Sequence, residues 1–223
     1  MNIFKLAYVL TVFVLFSCKK GDNDPAPAPT GSNKWYSVKA YADDTVEVKD
    51  GYLYMSTKYG SASTTKATSI SSFGILKGDF ELRIKYSSVE MSGTNTFSEA
   101  LGFALFQSGI SRALVAGNLT NEMVYVSDSS KTFPDMKSTS ARAGEFYVKR
   151  EGSTLNAWIK AGEEISTINK TNYTTADLRL SILISSNDAT VKRTSVQIDD
   201  ISIIAGGGEV ESDPFDKSSI TAY

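Results

Sequence analysis

From Asp79 to Tyr86 the chain alternates without a miss: Phe80, Leu82, Ile84 and Tyr86 are apolar, while Glu81, Arg83 and Lys85 are charged. A helix would spread these side chains around its axis, whereas a strand sends them to opposite faces. The stretch therefore reads as a half-buried strand. Val46-Glu47-Val48-Lys49 and Tyr52-Leu53-Tyr54-Met55 repeat the pattern on either side of Asp50-Gly51. Asp-Gly is the pair that tolerates the positive φ angles of a tight hairpin turn. A two-residue turn there pairs Val48 with Leu53 and Val46 with Met55, which puts both apolar pairs on one face.

Further strands are expected over 71–76, 100–107, 112–116, 123–127, 145–150, 154–160, 164–168, 178–185 and 195–204. Clusters of Ser, Thr, Gly, Asn and Asp separate them, and no stretch carries a convincing amphipathic helical period. Many short strands with polar turns predict an all-β protein, a two-sheet antiparallel sandwich. The expected domain runs over 34–205, with a Gly-rich tail over 206–223 that is either a loose end or a docking segment. In the last strand Val196 and Ile198 share one parity, and Ile201 and Ile203 share the other. That slip at Asp199-Asp200 predicts a bulge or bend, read as a strand crossing a corner of the sandwich rather than as a site.

Composition removes several functions. The chain of 223 residues has a formal net charge of −2 and no stripe of Lys or Arg, which argues against nucleic-acid binding. It contains no histidine, so mechanisms that need an imidazole base or ligand from this chain are excluded. The single cysteine leaves no partner for an intrachain disulfide.

That cysteine, Cys18, sits directly after an apolar run over 6–16 that follows Lys5. The run is too short to cross a hydrocarbon core, which needs about 20 residues, and reads as a secretory signal over 1–17. Leu15-Phe16-Ser17-Cys18 resembles the lipobox of bacterial lipoproteins. The resemblance implies cleavage before Cys18, diacylglyceryl transfer to its sulfur and stable anchoring by two or more acyl chains. The competing reading is an ordinary signal with an incidental cysteine. Lys19-Lys20-Gly21-Asp22-Asn23-Asp24 is similar to the export tag on surface lipoproteins of glycan-foraging Gram-negative bacteria, and implies an outer-membrane or cell-surface address. Residues 18–33 would then be the lipidated cysteine and a Pro, Ala and Gly-rich tether.

Trp35, Lys49-Asp50-Gly51-Tyr52-Leu53, Leu76-Lys77-Gly78-Asp79-Phe80-Glu81-Leu82, Leu101-Gly102-Phe103-Ala104-Leu105, Phe146 to Gly152 and Val196-Gln197-Ile198-Asp199-Asp200-Ile201 follow one another along the chain. Together they resemble the strand order of concanavalin A-like lectin/glucanase jelly rolls. Such folds include lectins, carbohydrate-binding modules and glycoside hydrolases, so the resemblance does not select a function.

A retaining hydrolase of this kind needs two carboxyls about 5 Å apart, usually as Glu-x-Asp-x-(x)-Glu on one strand. No such motif is present. Glu99 is single, Glu163-Glu164 are adjacent, and Glu209 and Glu211 lie in the tail. A pair assembled from distant strands stays open. The binding reading has more to work with. If Glu151-Gly152 is a two-residue turn, Phe146, Val148, Leu155, Ala157 and Ile159 share one face of a hairpin. Glu145, Tyr147, Lys149, Thr154, Asn156 and Trp158 then share the other. Aromatic rings that stack on sugar C–H faces, beside amides that take hydroxyls, make Tyr147, Asn156 and Trp158 the expected ligand-binding residues.

Three competing points accompany that expectation. A sandwich tryptophan is often covered by a loop, a three-residue loop at Glu151 would separate these side chains, and Tyr52 and Tyr54 read as ordinary cross-strand partners. Relatives of this fold often hold calcium, and Asp43-Asp44, Asp128, Asp135 and Asp199-Asp200 are available, but none has EF-hand spacing. The triplets at Asn118, Asn169 and Asn172 match a glycosylation acceptor and read as exposed loops. The sequence thus predicts a lipid-anchored β-sandwich whose partners are a glycan and, through its anchor, a membrane, with no protein partner specified. The alternatives are an adhesive module that contacts protein, and a hydrolase whose carboxylate pair is not local.

Overall fold

A computed structural model describes residues 35–38, 43–57, 66–72, 76–93, 99–107, 112–128, 135–186, 193–205, 209–212 and 220–222. The signal segment, Cys18 and the tether lie outside them. The described elements are all strands: β1 Trp35–Val38, β2 Thr45–Lys49, β3 Tyr52–Thr57, β4 Lys66–Ser72, β5 Phe80–Glu90, β6 Glu99–Gln107, β7 Val115–Thr120, β8 Met123–Asp128, β9 Lys137–Ser138, β10 Gly144–Glu151, β11 Thr154–Ala161, β12 Glu164–Lys170, β13 Leu178–Ser186, β14 Thr194–Ala205, β15 Glu209–Ser212 and β16 Ile220–Ala222.

They form two sheets. The first has the order β16-β1-β4-β13-β6-β7-β8-β9, and the second β12-β11-β10-β5-β14-β3-β2, with β15 beside β14. All pairings are antiparallel except that of β1 with β16. This is the predicted two-sheet antiparallel sandwich, and the segment after Ile204 supplies two of its edge strands.

The alternation of β5 is realised as expected: Phe80, Leu82, Ile84 and Tyr86 are buried while Arg83 and Lys85 are exposed. Val46 pairs with Met55 and Val48 with Leu53 across a turn in which Asp50 and Gly51 have φ of 52° and 83°. The phase slip in β14 is a bulge. Ile198 faces Tyr86 and Asp200 faces Lys85, so Asp199 is the extra residue and both Ile198 and Ile201 reach the core. Ser87 Oγ donates to Asp199 Oδ1 at 2.7 Å and pins the bulge.

Between the sheets Phe103 of β6 stacks on Phe146 of β10, with ring centroids 5.2 Å apart, and Tyr86 tilts against Phe103 at 5.6 Å. Gly117 in β7 lies under that stack, where a Cβ would collide with the Phe146 ring. Tyr86 Oη donates to the Lys160 carbonyl at 2.8 Å, across the space that Gly144 leaves open. Among the described residues Arg150 is the largest fully buried side chain. It needs no carboxylate: its Nε donates to the Gly78 carbonyl at 2.7 Å and its Nη1 to that of Ala176 at 2.6 Å, while the guanidinium lies 4.9 Å over the Phe80 ring.

Four expectations are corrected. The strand expected over 71–76 is Lys66–Ser72, and Leu76 makes only an isolated bridge with Leu178. The strand expected over 112–116 is Val115–Thr120, because Gly117-Asn118 is a packing position rather than a turn. Asn118 is accordingly buried in a strand and not in an exposed loop, whereas Asn169 and Asn172 are exposed. The β10–β11 turn is Gly152-Ser153, one residue later than expected, with Glu151 opposite Thr154. Gly152 has φ of 55° at the first loop position, as a type II′ turn wants.

Candidate functional site

Moving that turn by one residue changes every partner by two and leaves each side chain on its predicted face. Phe146, Val148, Leu155, Ala157 and Ile159 are all buried. On the outer face Tyr147 now stands directly opposite Trp158, Lys149 opposite Asn156 and Glu145 opposite Lys160. On the flanking strands, Arg83 of β5 is the partner of Tyr147, and Thr167 of β12 is the partner of Trp158. One row, Arg83-Tyr147-Trp158-Thr167, therefore crosses four strands at the β12 edge of the sheet.

The rings in this row stand against each other. Tyr147 and Trp158 have centroids 5.2 Å apart and planes 18° apart, and the Arg83 guanidinium lies 5.0 Å from the other face of Tyr147. Both faces of Tyr147 are thus occupied. Burial first, and then the Glu81 carboxylate, push its phenol above the ordinary value. Tyr147 is thus braced on both sides, while the other face of Trp158 looks along the row toward exposed Thr167. In the next row Asn169 Nδ2 donates to Asn156 Oδ1, so the two amides are locked beside the indole. Ile165, 44 % exposed, continues the strip along β12.

Charges on this face are mostly paired. Arg83 Nε and Nη2 each lie 3.1 Å from Glu81 Oε1, and Nη1 lies 3.7 Å from Glu145 Oε1. Lys149 meets Glu151 at 2.7 Å, and Lys85 meets Asp200 at 3.8 Å. The carboxylates here neutralise cations instead of facing one another across a groove. The buried Glu99 is likewise committed, accepting from Thr194 Oγ1 at 2.6 Å and from the Gly93 amide. Asp135 pairs with Lys137 at 2.9 Å, and among the described residues no three metal-ligating side chains converge.

The outer face of the first sheet holds a feature that sequence reasoning missed. Gly102, Ala104, Ala116, Ser181 and Ser185 make a floor of small side chains, all of them buried. Asn118 stands in this floor between Gly102 and Tyr125. It is 0 % exposed, yet among the described residues neither Oδ1 nor Nδ2 has a hydrogen-bond partner. A buried amide without partners costs about 1–3 kcal/mol and calls for an explanation. The only signal in the sequence was an asparagine alternating with Ala116 and Thr120, hidden by the turn-like Gly-Asn pair.

No known family matches the sequence, and no curated protein does. Solved structures do match. A sialidase superposes with a TM-score of 0.55 at 8 % identity, over 78 % of this chain and 17 % of its own. The Emp47p carbohydrate recognition domain gives 0.54 at 10 % identity, over 78 % and 90 % of the two chains. The fold is the concanavalin A-like jelly roll. An alginate lyase of polysaccharide lyase family 7 shares it, with a TM-score of 0.51 at 6 % identity over 74 % of this chain and 83 % of the lyase. The jelly roll thus spans lectin domains and glycan-degrading enzymes, and the match covers less than a fifth of the sialidase's length.

Proposed function

We propose that this protein binds carbohydrate without cleaving it and is held at the outer membrane or cell surface by lipid on Cys18. The observation that carries the binding reading is the Trp158 ring, one face braced by Tyr147 and the other turned to Thr167. Asn156, beside Asn169, is set to take the hydroxyls of a sugar stacked there. The non-catalytic reading is supported by the carboxylates, which are tied to Arg83, Lys149 and Thr194. Lectin-like members of the same fold are consistent with it.

The test is retention of the purified chain on a glycan array beside a Trp158→Ala variant of unchanged melting temperature. Binding weakened by about tenfold or more, about 1.4 kcal/mol, is the expected result. No binding to any glycan would sink the reading. Binding indifferent to Trp158 would move the site away from this row while keeping the carbohydrate-binding reading.

A further inference from the structure

We infer that the glycan taken by the Trp158 strip is uncharged, bearing no carboxylate or sulfate on the sugar that stacks. This rests on the carbohydrate-binding reading and adds the charge class of the ligand. An acidic sugar is recognised through cations with free N–H donors, most effectively an arginine fork set against two acceptor oxygens. Arg83 has that fork closed: Nε and Nη2 both lie on Glu81 Oε1, and Nη1 faces Glu145. Lys149 is held by Glu151, and Lys85 by Asp200. Lys160 has no ion pair among the described residues, but it stands opposite Glu145 in the strand register. A uronate or sulfate on the strip would therefore meet Glu81, Glu145, Glu151 and Asp200 at Arg83, Lys149 and Lys85, and would have Lys160 alone as an uncommitted cation.

Apart from Lys160, whose opposite neighbour in the register is Glu145, what the strip leaves open is neutral. It consists of the outer face of Trp158, the Thr167 hydroxyl, the Asn156 and Asn169 amides, and the exposed Ile165 side chain. Hydroxyl and amide groups both donate and accept, which matches sugar hydroxyls. The alginate lyase shares the fold, but charge class is decided by side chains and not by the fold.

The experiment is affinity electrophoresis of the full chain in gels carrying a neutral β-glucan, a mannan, a polyuronate or a sulfated galactan, at about 50 mM and about 500 mM NaCl. The expected result is retention by a neutral polymer that changes by less than about twofold with salt, because no ion pair to the ligand is screened. Trp158→Ala should abolish that retention. Trp158→Phe, which keeps a ring against Tyr147, should keep part of it, and this separates loss of the site from loss of the fold. Retention by the acidic polymers alone, or retention that collapses at high salt while still depending on Trp158, overturns the charge assignment and leaves carbohydrate binding intact. Retention by none of the four overturns both, and retention indifferent to Trp158 overturns the placement on which the charge argument depends.

Discussion

Tyr86, Tyr125 and Tyr173 set the pH response of the fold. Burial pushes all three phenols well above their ordinary value, while Arg142 pulls Tyr86 back and Arg150 pulls Tyr173 back. An unfolded tyrosine releases its proton near pH 10, whereas the folded protein keeps it. Above that pH the native state binds more protons than the unfolded one, so stability falls as pH rises, and below it the contribution is complete. Each phenol lowers stability by up to about 1.4 kcal/mol per pH unit in that window. Thermal melts should be nearly level from about pH 7 to 9 and fall steeply above about pH 10, the more so because no histidine titrates in between. A melting temperature that drops between about pH 7 and 8 would contradict this. The burial of Tyr86 was legible from its place in an alternating run. That of Tyr125 was not, because it points away from the main core and nothing local marks the outer face of the first sheet as covered.

Strand identity followed from periodicity, and strand ends did not. β5, β10, β11 and β13 begin and end within a residue or two of expectation, except that β5 continues through the Ser88 kink, where φ is 51°. The expected strand stops at Ala116 because Gly117-Asn118 has the composition of a turn, whereas Gly117 lets Phe146 approach from the opposite sheet. Local sequence cannot distinguish a glycine needed for φ from one needed for space. Gly117→Ala should therefore destabilise by about 1–3 kcal/mol through overpacking. That corresponds to a fall of about 2–10 °C in melting temperature for a chain of this size. Phe146→Leu in the same background should recover part of the loss, since the two sites are in contact and couple. An additive double variant would place the effect elsewhere.

For the molecule as a whole, tethering and binding are separable claims. If Cys18 carries lipid, Cys18→Ser should move the protein from the membrane fraction to the soluble one without altering its glycan retention. A membrane fraction unchanged by the substitution would refute the anchor, because a lone signal-like run of this length does not span a bilayer. The sequence by itself determined the all-β class, the Asp50-Gly51 hairpin, the bulge at Asp199 and the sidedness of Tyr147, Asn156 and Trp158. These depend on side-chain parity, which is local and survives a shift of register by two. Only the tertiary structure decided that Tyr147 stacks on Trp158, that Arg83 is neutralised by acids from two strands, and that Asn118 is buried with no hydrogen-bond partner among the described residues. Each of these depends on which strand lies beside which and at what register, and such long-range pairing leaves no periodic trace in the chain.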